Sequence, residues 1–176
     1  MKTNIARLFS LVIVCCLILL GGCQSTNTPQ GVTLKVERIV NGQTLEVVDP
    51  QKQTNSNVRV QLIGVSAPDL RQRPWGEVAK DRLEEMIGEK PVLLESDWEL
   101  KDQFDRQLAY VWQDGKLLNE QLLLEGRALF RPRSLNRKYD QRLERAQEYA
   151  RVMGLGIWNP DQPLRLPPEQ FRQQYR

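Results

Sequence analysis

The sequence contains no histidine among its 176 residues. This absence excludes serine–histidine and cysteine–histidine nucleophiles, histidine general bases and histidine metal ligands. A hydrolase built on this chain would have to work with carboxylates, arginines and a hard metal ion such as calcium.

Cysteine is scarce as well, with three in the chain. Cys15 and Cys16 lie in an apolar run near the start, which we expect to be removed, so the mature chain keeps Cys23 alone. A single cysteine forms neither an internal disulfide nor a cysteine-based zinc site.

The N-terminal segment has the pattern of an export signal. Lys2 and Arg7 precede an apolar run at residues 8–20. These thirteen residues are too few to span a bilayer as a stable helix.

The string LGGC at residues 20–23 ends this run and resembles a bacterial lipobox, in which small residues precede a cysteine that receives lipid. We therefore predict a lipoprotein signal peptide at residues 1–22, followed by a lipidated Cys23 and a flexible polar tether through residue 32. The expected location is extracytoplasmic, on a membrane facing the periplasm or on the outer membrane. An ordinary secretory signal or a membrane anchor is the alternative.

The charges are unevenly distributed along the chain. Without Lys2 and Arg7, 23 basic residues face 22 acidic residues, a net charge of +1. Residues 77–105 hold ten acids and four bases, whereas residues 127–151 hold eight bases and three acids. The basic segment Arg131–Arg151 is a candidate surface for nucleic acid, anionic lipid or an acidic protein, or else a solvated helix face with internal ion pairs.

Short β-rich runs alternate with turn signals. Asn41-Gly42 predicts a tight hairpin between the first two of these runs, and the third run, VRVQLIGV, alternates apolar and polar residues before a proline-bearing turn. The five predicted strands are Thr33–Val40, Thr44–Val48, Val58–Val65, Pro91–Glu95 and Gln107–Gln113.

Three segments have helical periodicity: one from Trp75 to the capping Gly88, one over Leu117–Leu124 and one over about Lys138–Met153. Residues 159–176 contain four prolines, and we expect a mostly unstructured tail there. This order predicts an α+β fold, mainly β: a five-stranded OB-type barrel with about three helices.

Several strings, in this order and spacing, resemble the staphylococcal nuclease-like, or thermonuclease, family over residues 33–158. They are VERIVNGQTLEV, VQLIGVSAPD, DQFDRQLAYVW, LLNEQLLLEGRA and AQEYARVMGLGIW. The resemblance implies a barrel that hydrolyses phosphodiester bonds of DNA and RNA with calcium. Two aspartates and a carbonyl hold the ion, a glutamate acts on the attacking water, and two arginines steady the phosphate.

Carried over to this chain, the family's motif meets substitutions at most positions. The calcium aspartates correspond to Gln43 and Ser66, and the carbonyl to Ala67. The catalytic glutamate corresponds to Asp69, the first arginine to Gln61 and the second to Arg106, which is the only one unchanged.

These substitutions leave one carboxylate at the predicted calcium site, and calcium sites depend on anionic oxygens. We therefore interpret the barrel as a degenerate nuclease without a cofactor, acting as a binding or scaffolding module on a membrane. The alternative is an active calcium-dependent nuclease, in which Arg59, two residues before Gln61, replaces the missing arginine.

Overall fold

The structure, a computed structural model, describes residues 28–50, 57–133 and 135–175. The predicted signal peptide and Cys23 lie outside these residues. None of the helices within the described ranges is both long and apolar enough to cross a membrane.

Five strands close into a barrel, as predicted. They are β1 (Val32–Asn41), β2 (Thr44–Val48), β3 (Val58–Leu62), β5 (Val92–Glu95) and β6 (Gln107–Gln113). Neighbouring strands run antiparallel, except that β3 pairs with β6 in parallel and so completes the ring. The Asn41-Gly42 turn forms the predicted hairpin, with Asn41 opposite Thr44.

The third strand differs from its prediction at its C-terminal end. β3 stops at Leu62, and the chain then turns at Gly64, whose φ of +74° lies in the left-handed region that favours glycine. A separate short strand, β4 (Val65–Ser66), leaves the barrel and pairs with β8 (Leu129–Phe130). β7 (Lys116–Leu117) extends β6 as a short hairpin.

Four helices cover the barrel: α1 (Trp75–Ile87), α2 (Leu118–Leu124), α3 (Asp140–Val152) and α4 (Pro168–Gln174). The first three confirm the predicted helices within one or two residues at each end. A short 3-10 helix follows α3 at Gly156–Trp158.

The core lies inside the barrel and beneath α1 to α3. Barrel residues such as Leu45, Val60 and Leu108 are fully buried, and α1 and α3 cover them with Leu83 and Leu143. Among polar residues, Asn119 of α2 is also completely buried. Its amide group accepts the Val111 N–H at 2.8 Å and donates to the Ile63 carbonyl at 2.8 Å, so it links α2 to two parts of the barrel.

The prediction of an unstructured tail is wrong. Residues 168–174 form α4, with Pro168 at its start and Glu169 in its first turn. Tertiary contacts hold this short helix: Gln72 donates to the Leu166 carbonyl at 2.7 Å, and Arg71 donates to the Tyr175 carbonyl at 2.9 Å. The tail thereby returns to the barrel at the end of β4.

Candidate functional site

One cleft of about 700 Å³ lies where the β1–β2 turn, the end of β3, β4 and α4 converge. Five of the six positions carried over from the family line it, and the sixth, Ala67, contacts it through its carbonyl. The cleft also includes arginines that the motif did not indicate. Its polar and charged lining residues include Gln43, Gln61, Ser66, Asp69, Arg71, Arg106, Arg131, Arg133, Glu169 and Arg172.

Gln43 is brought to the cleft by the tight β1–β2 turn. A side chain at Gly42 would meet the Cβ atoms of Ala79 and Ala67 at 2.6 and 2.9 Å, so glycine allows the turn to pack against α1 and the end of β4. Gln43 Oε1 accepts the Ala67 N–H at 2.6 Å. At this predicted calcium position, a neutral amide ties the turn to the strand end.

Gln61 is 3% exposed and lies at the floor of the cleft. Its Oε1 accepts a hydrogen bond from the Thr44 hydroxyl at 3.0 Å. The side chain is therefore held within the β2–β3 pair, where it cannot supply the charge that an arginine would bring to a phosphate.

The remaining two predicted calcium positions face a guanidinium group. Arg172 of α4 donates to the Ala67 carbonyl at 3.2 Å and to the Ser66 hydroxyl at 3.0 Å. Ser66 and Ala67 are separated from Arg172 by more than 100 residues in the sequence. The Arg172 guanidinium thus forms hydrogen bonds with the oxygens of Ser66 and Ala67, the two positions that the family resemblance assigned to calcium.

Asp69 lies at the cleft and is paired to a neighbour. Its carboxylate accepts from Arg71 Nε at 2.8 Å and from the Arg71 backbone N–H at 3.0 Å. Hydrogen bonds from the Arg71 side chain, opposed in part by burial, lower the pKa of Asp69. The carboxylate is therefore ionised at neutral pH and held by Arg71.

Arg106 keeps the place that the motif predicts, and a buried carboxylate fixes it. Arg106 Nε donates to Asp102 Oδ2 at 2.7 Å, and the Asp102 side chain is 4% exposed. Burial alone would raise the pKa of Asp102, but hydrogen bonds from Arg106 and from two backbone N–H groups outweigh it, so this pKa is lowered. The guanidinium also lies over the Phe104 ring, 5.3 Å from its centre.

Arg59 does not replace the missing arginine in this structure. It pairs with Glu46 at 2.9 Å, and its side chain is 59% exposed. It lines a neighbouring depression with Asp105 and Lys101 rather than the cleft.

The donor set of the cleft does not fit calcium. The Gln43 amide oxygen binds a backbone N–H, Arg172 binds Ser66 and Ala67, and Asp69 is paired with Arg71. No group of three Asp, Glu, His or Cys side chains in the part of the chain that the structure describes is arranged to hold a metal ion. Calcium would have to displace an arginine and bind with a single carboxylate, against the charge requirement of such sites.

The basic segment divides between the cleft and a set of ion pairs. Arg131 and Arg133 line the cleft, whereas Lys138 pairs with Glu95, Arg142 with Glu120 and Arg151 with Glu148. Altogether six of the eight bases in residues 127–151 form ion pairs with described residues. Most of the positive charge of residues 127–151 is therefore neutralised by neighbouring carboxylates.

Sequence reasoning missed Arg71 and Arg172, and it assigned Arg133 to the basic segment without placing it at the cleft. The sequence does contain a signal for the helix that carries Arg172. The string PPEQFRQQ combines a proline suited to the first helical turn with an acidic residue beside it. The packing of that helix on β4 had no local signal.

The closed barrel, the cleft at its β1–β2 turn and the arginine at position 106 define a protein of the staphylococcal nuclease class. Residues 59–160 match the family described as staphylococcal nuclease homologue, and the chain belongs to this family.

Three relatives illustrate the similarity. Thermonuclease of Staphylococcus hyicus is 36% identical over 135 residues, which cover 72% of this chain and 76% of that protein. Endonuclease YncB of Bacillus subtilis (strain 168) is 30% identical over 145 residues, 79% of this chain and 67% of that protein. An uncharacterized endonuclease of Haemophilus influenzae is 27% identical over 164 residues, 93% of this chain and 85% of that protein.

Proposed function

We propose that this chain is a lipid-anchored, extracytoplasmic member of the family that binds a phosphate-bearing ligand such as single-stranded nucleic acid but has lost calcium-dependent cleavage. One observation carries the proposal: Arg172 binds the Ser66 hydroxyl and the Ala67 carbonyl, where the family resemblance places calcium. The Arg172 guanidinium already lies at this position, so a metal ion would have neither the space nor the negative charge that it needs there.

The charge of the cleft supports an anionic ligand. Five arginines line it, against the two carboxylates Asp69 and Glu169. Arg71 pairs with Asp69, and Arg131 pairs with Glu169, so both carboxylates are already neutralised. The surplus positive charge suits the phosphates of a nucleic acid better than an acidic helix or a neutral peptide.

The competing function is active nucleolysis, favoured by the relatives named thermonuclease and endonuclease and by the presence of Asp69 and Arg106 in the cleft. We expect the chain from Gln24 onward, which contains every described element, to cleave single-stranded DNA no faster with calcium than with a chelator. The assay compares product release with the Arg106→Ala variant, which marks the background. Calcium-dependent cleavage that Arg106→Ala abolishes would establish the nuclease instead.

The anchoring proposal rests on the LGGC string at residues 20–23, outside the described residues. β1 supports display of the cleft away from the membrane. It runs ten residues from Val32 to the turn beside Gln43, and strands rise about 3.3 Å per residue, so the tether joins the barrel at the other end of a strand roughly 30 Å long.

We expect Cys23→Ser to abolish lipid attachment and to leave the apolar run at residues 8–20 on the chain, because the LGGC string that directs cleavage before residue 23 is lost. Mass spectrometry of the N-terminal peptide should find lipid on Cys23 in the wild type and in the control variant Cys15→Ser. A wild-type N-terminal peptide that starts at another residue, or that carries no lipid on Cys23, would contradict lipid anchoring.

A further inference from the structure

α4 presents Arg172 from a segment that is held on both sides. Before the helix, Gln72 donates to the Leu166 carbonyl at 2.7 Å, and after it Arg71 donates to the Tyr175 carbonyl at 2.9 Å. The Arg131–Glu169 ion pair attaches the first turn of α4 to the residue that follows β8. These contacts hold α4 in place, and the fold therefore fixes the position of the Arg172 guanidinium in the cleft.

The contacts of Arg172 leave much of its hydrogen-bonding capacity unused. A guanidinium has five N–H donors, and in Arg172 one Nη donates to the Ala67 carbonyl and the other to the Ser66 hydroxyl. Both acceptors are neutral. The contacts therefore orient the group without neutralising its charge, and three N–H groups remain for a ligand.

Arg133 and Arg172 share a further property. Neither forms an ion pair with any carboxylate of residues 28–50, 57–133 or 135–175, although Arg71, Arg106 and Arg131 in the same cleft each do. Burial lowers the pKa of both Arg133 and Arg172; neighbouring arginines add to the shift, and carboxylates near each group oppose it in part. Two half-buried cations that make no direct ion pair are costly for the free protein, and an anion in the cleft would reduce that cost.

We infer that Arg172 replaces the calcium ion as the positive centre of the cleft and, with Arg106 and Arg133, binds a phosphodiester group of the ligand without a metal. This inference rests on the proposed function and specifies how the same cleft recognises its ligand. Arg172 provides the charge at the position of the former ion, oriented by Ser66 and Ala67. Arg106, fixed by Asp102, and Arg133 line the same cleft and bind the same phosphate.

Fluorescence anisotropy of a short single-stranded thymidine oligonucleotide, measured over a series of salt concentrations with chelator present, tests this role. Loss of a charge-assisted contact in Arg172→Gln is expected to weaken binding about tenfold to a hundredfold. The salt dependence of log K should also become shallower by about 0.7, as for the loss of one phosphate contact to a single strand. Calcium in place of the chelator should leave wild-type affinity unchanged.

The matched control is Arg145→Gln, an exposed arginine on α3 that does not line the cleft and forms no ion pair with the described residues. This variant should bind as the wild type does. Arg172→Lys, which keeps the charge but loses the planar donor set, should restore part of the lost affinity. Partial restoration separates the effect of charge from a loss of α4 packing.

Four results would overturn the inference. Arg172→Gln could bind as Arg145→Gln does, or more tightly than the wild type, which would make Arg172 a spectator or a block. Arg172→Lys could be as weak as Arg172→Gln, which would assign the effect to packing. If Arg106→Gln abolished binding while Arg172→Gln did not, the proposed function would stand without this inference, whereas a wild type that bound no oligonucleotide would overturn both.

Discussion

Replacing Asn119 with alanine is expected to lower the free energy of unfolding by about 2–5 kcal/mol, because each buried polar group left without a partner costs about 1–3 kcal/mol. The Asn119 side chain is fully buried and binds the Val111 N–H and the Ile63 carbonyl, both at 2.8 Å. Alanine would leave both backbone groups unpaired inside the protein. Urea denaturation followed by circular dichroism measures the change.

The control for this prediction is Gln121→Ala on the same helix. Gln121 donates to Glu125 at 2.7 Å but is only partly buried, so its loss should cost less than about 1 kcal/mol. Equal losses in the two variants would show that α2 is sensitive to any substitution, and the buried link of Asn119 would then have no special role.

The second large effect concerns calcium. We expect the double variant Gln43→Asp/Ser66→Asp to bind no calcium, because the nearby Arg172 guanidinium would pair with the carboxylate introduced at position 66. Adding Arg172→Gln should free two carboxylates and the Ala67 carbonyl, and calcium should then bind with a dissociation constant of about 10⁻⁴–10⁻³ M, typical of weak oxygen-ligand sites. Isothermal titration calorimetry distinguishes these cases.

Arg145→Gln in the same double-variant background is the matched control and should leave calcium binding absent. If the double variant bound calcium equally well with and without Arg172→Gln, Arg172 would not occupy the ion's position.

Much of the barrel could be predicted because its determinants are local. The Asn41-Gly42 turn fixes the first hairpin, and the apolar alternation of VRVQL fixes β3. α1 carries its own end signals in Pro74 and Gly88. The break after Leu62 was missed, because alternation alone does not separate a continuous strand from one that turns at a glycine and pairs elsewhere.

The site was predictable only as far as the family motif extends. The motif placed Gln43, Gln61, Ser66, Asp69 and Arg106 together, and the structure brings all of them to one cleft. It contained nothing about Arg172, since the contact between Arg172 and Ser66 joins residues 106 positions apart. Such a contact depends on how α4 docks, which is set by Gln72 and Arg71 rather than by the sequence around Arg172.

The role of the basic segment Arg131–Arg151 was also only partly predictable from the sequence. Its charge count indicated a surface for anions, but the count could not reveal that Glu95 and Glu120 lie opposite Lys138 and Arg142. Ion pairs of this kind neutralise much of the excess positive charge of residues 127–151. The cations left without a carboxylate partner in the described residues include Arg133, which lines the cleft.

The docked tail also decides where foreign sequence can be attached to this protein. Arg71 holds the Tyr175 carbonyl beside the cleft, so foreign residues attached beyond Arg176 would begin close to the lining residue Tyr175. An affinity tag or a fluorescent protein placed there would compete with a ligand for access and pull on the helix that carries Arg172. A label placed before Thr28 would be joined to the start of β1, away from the turn beside Gln43, and would leave the entrance of the cleft open.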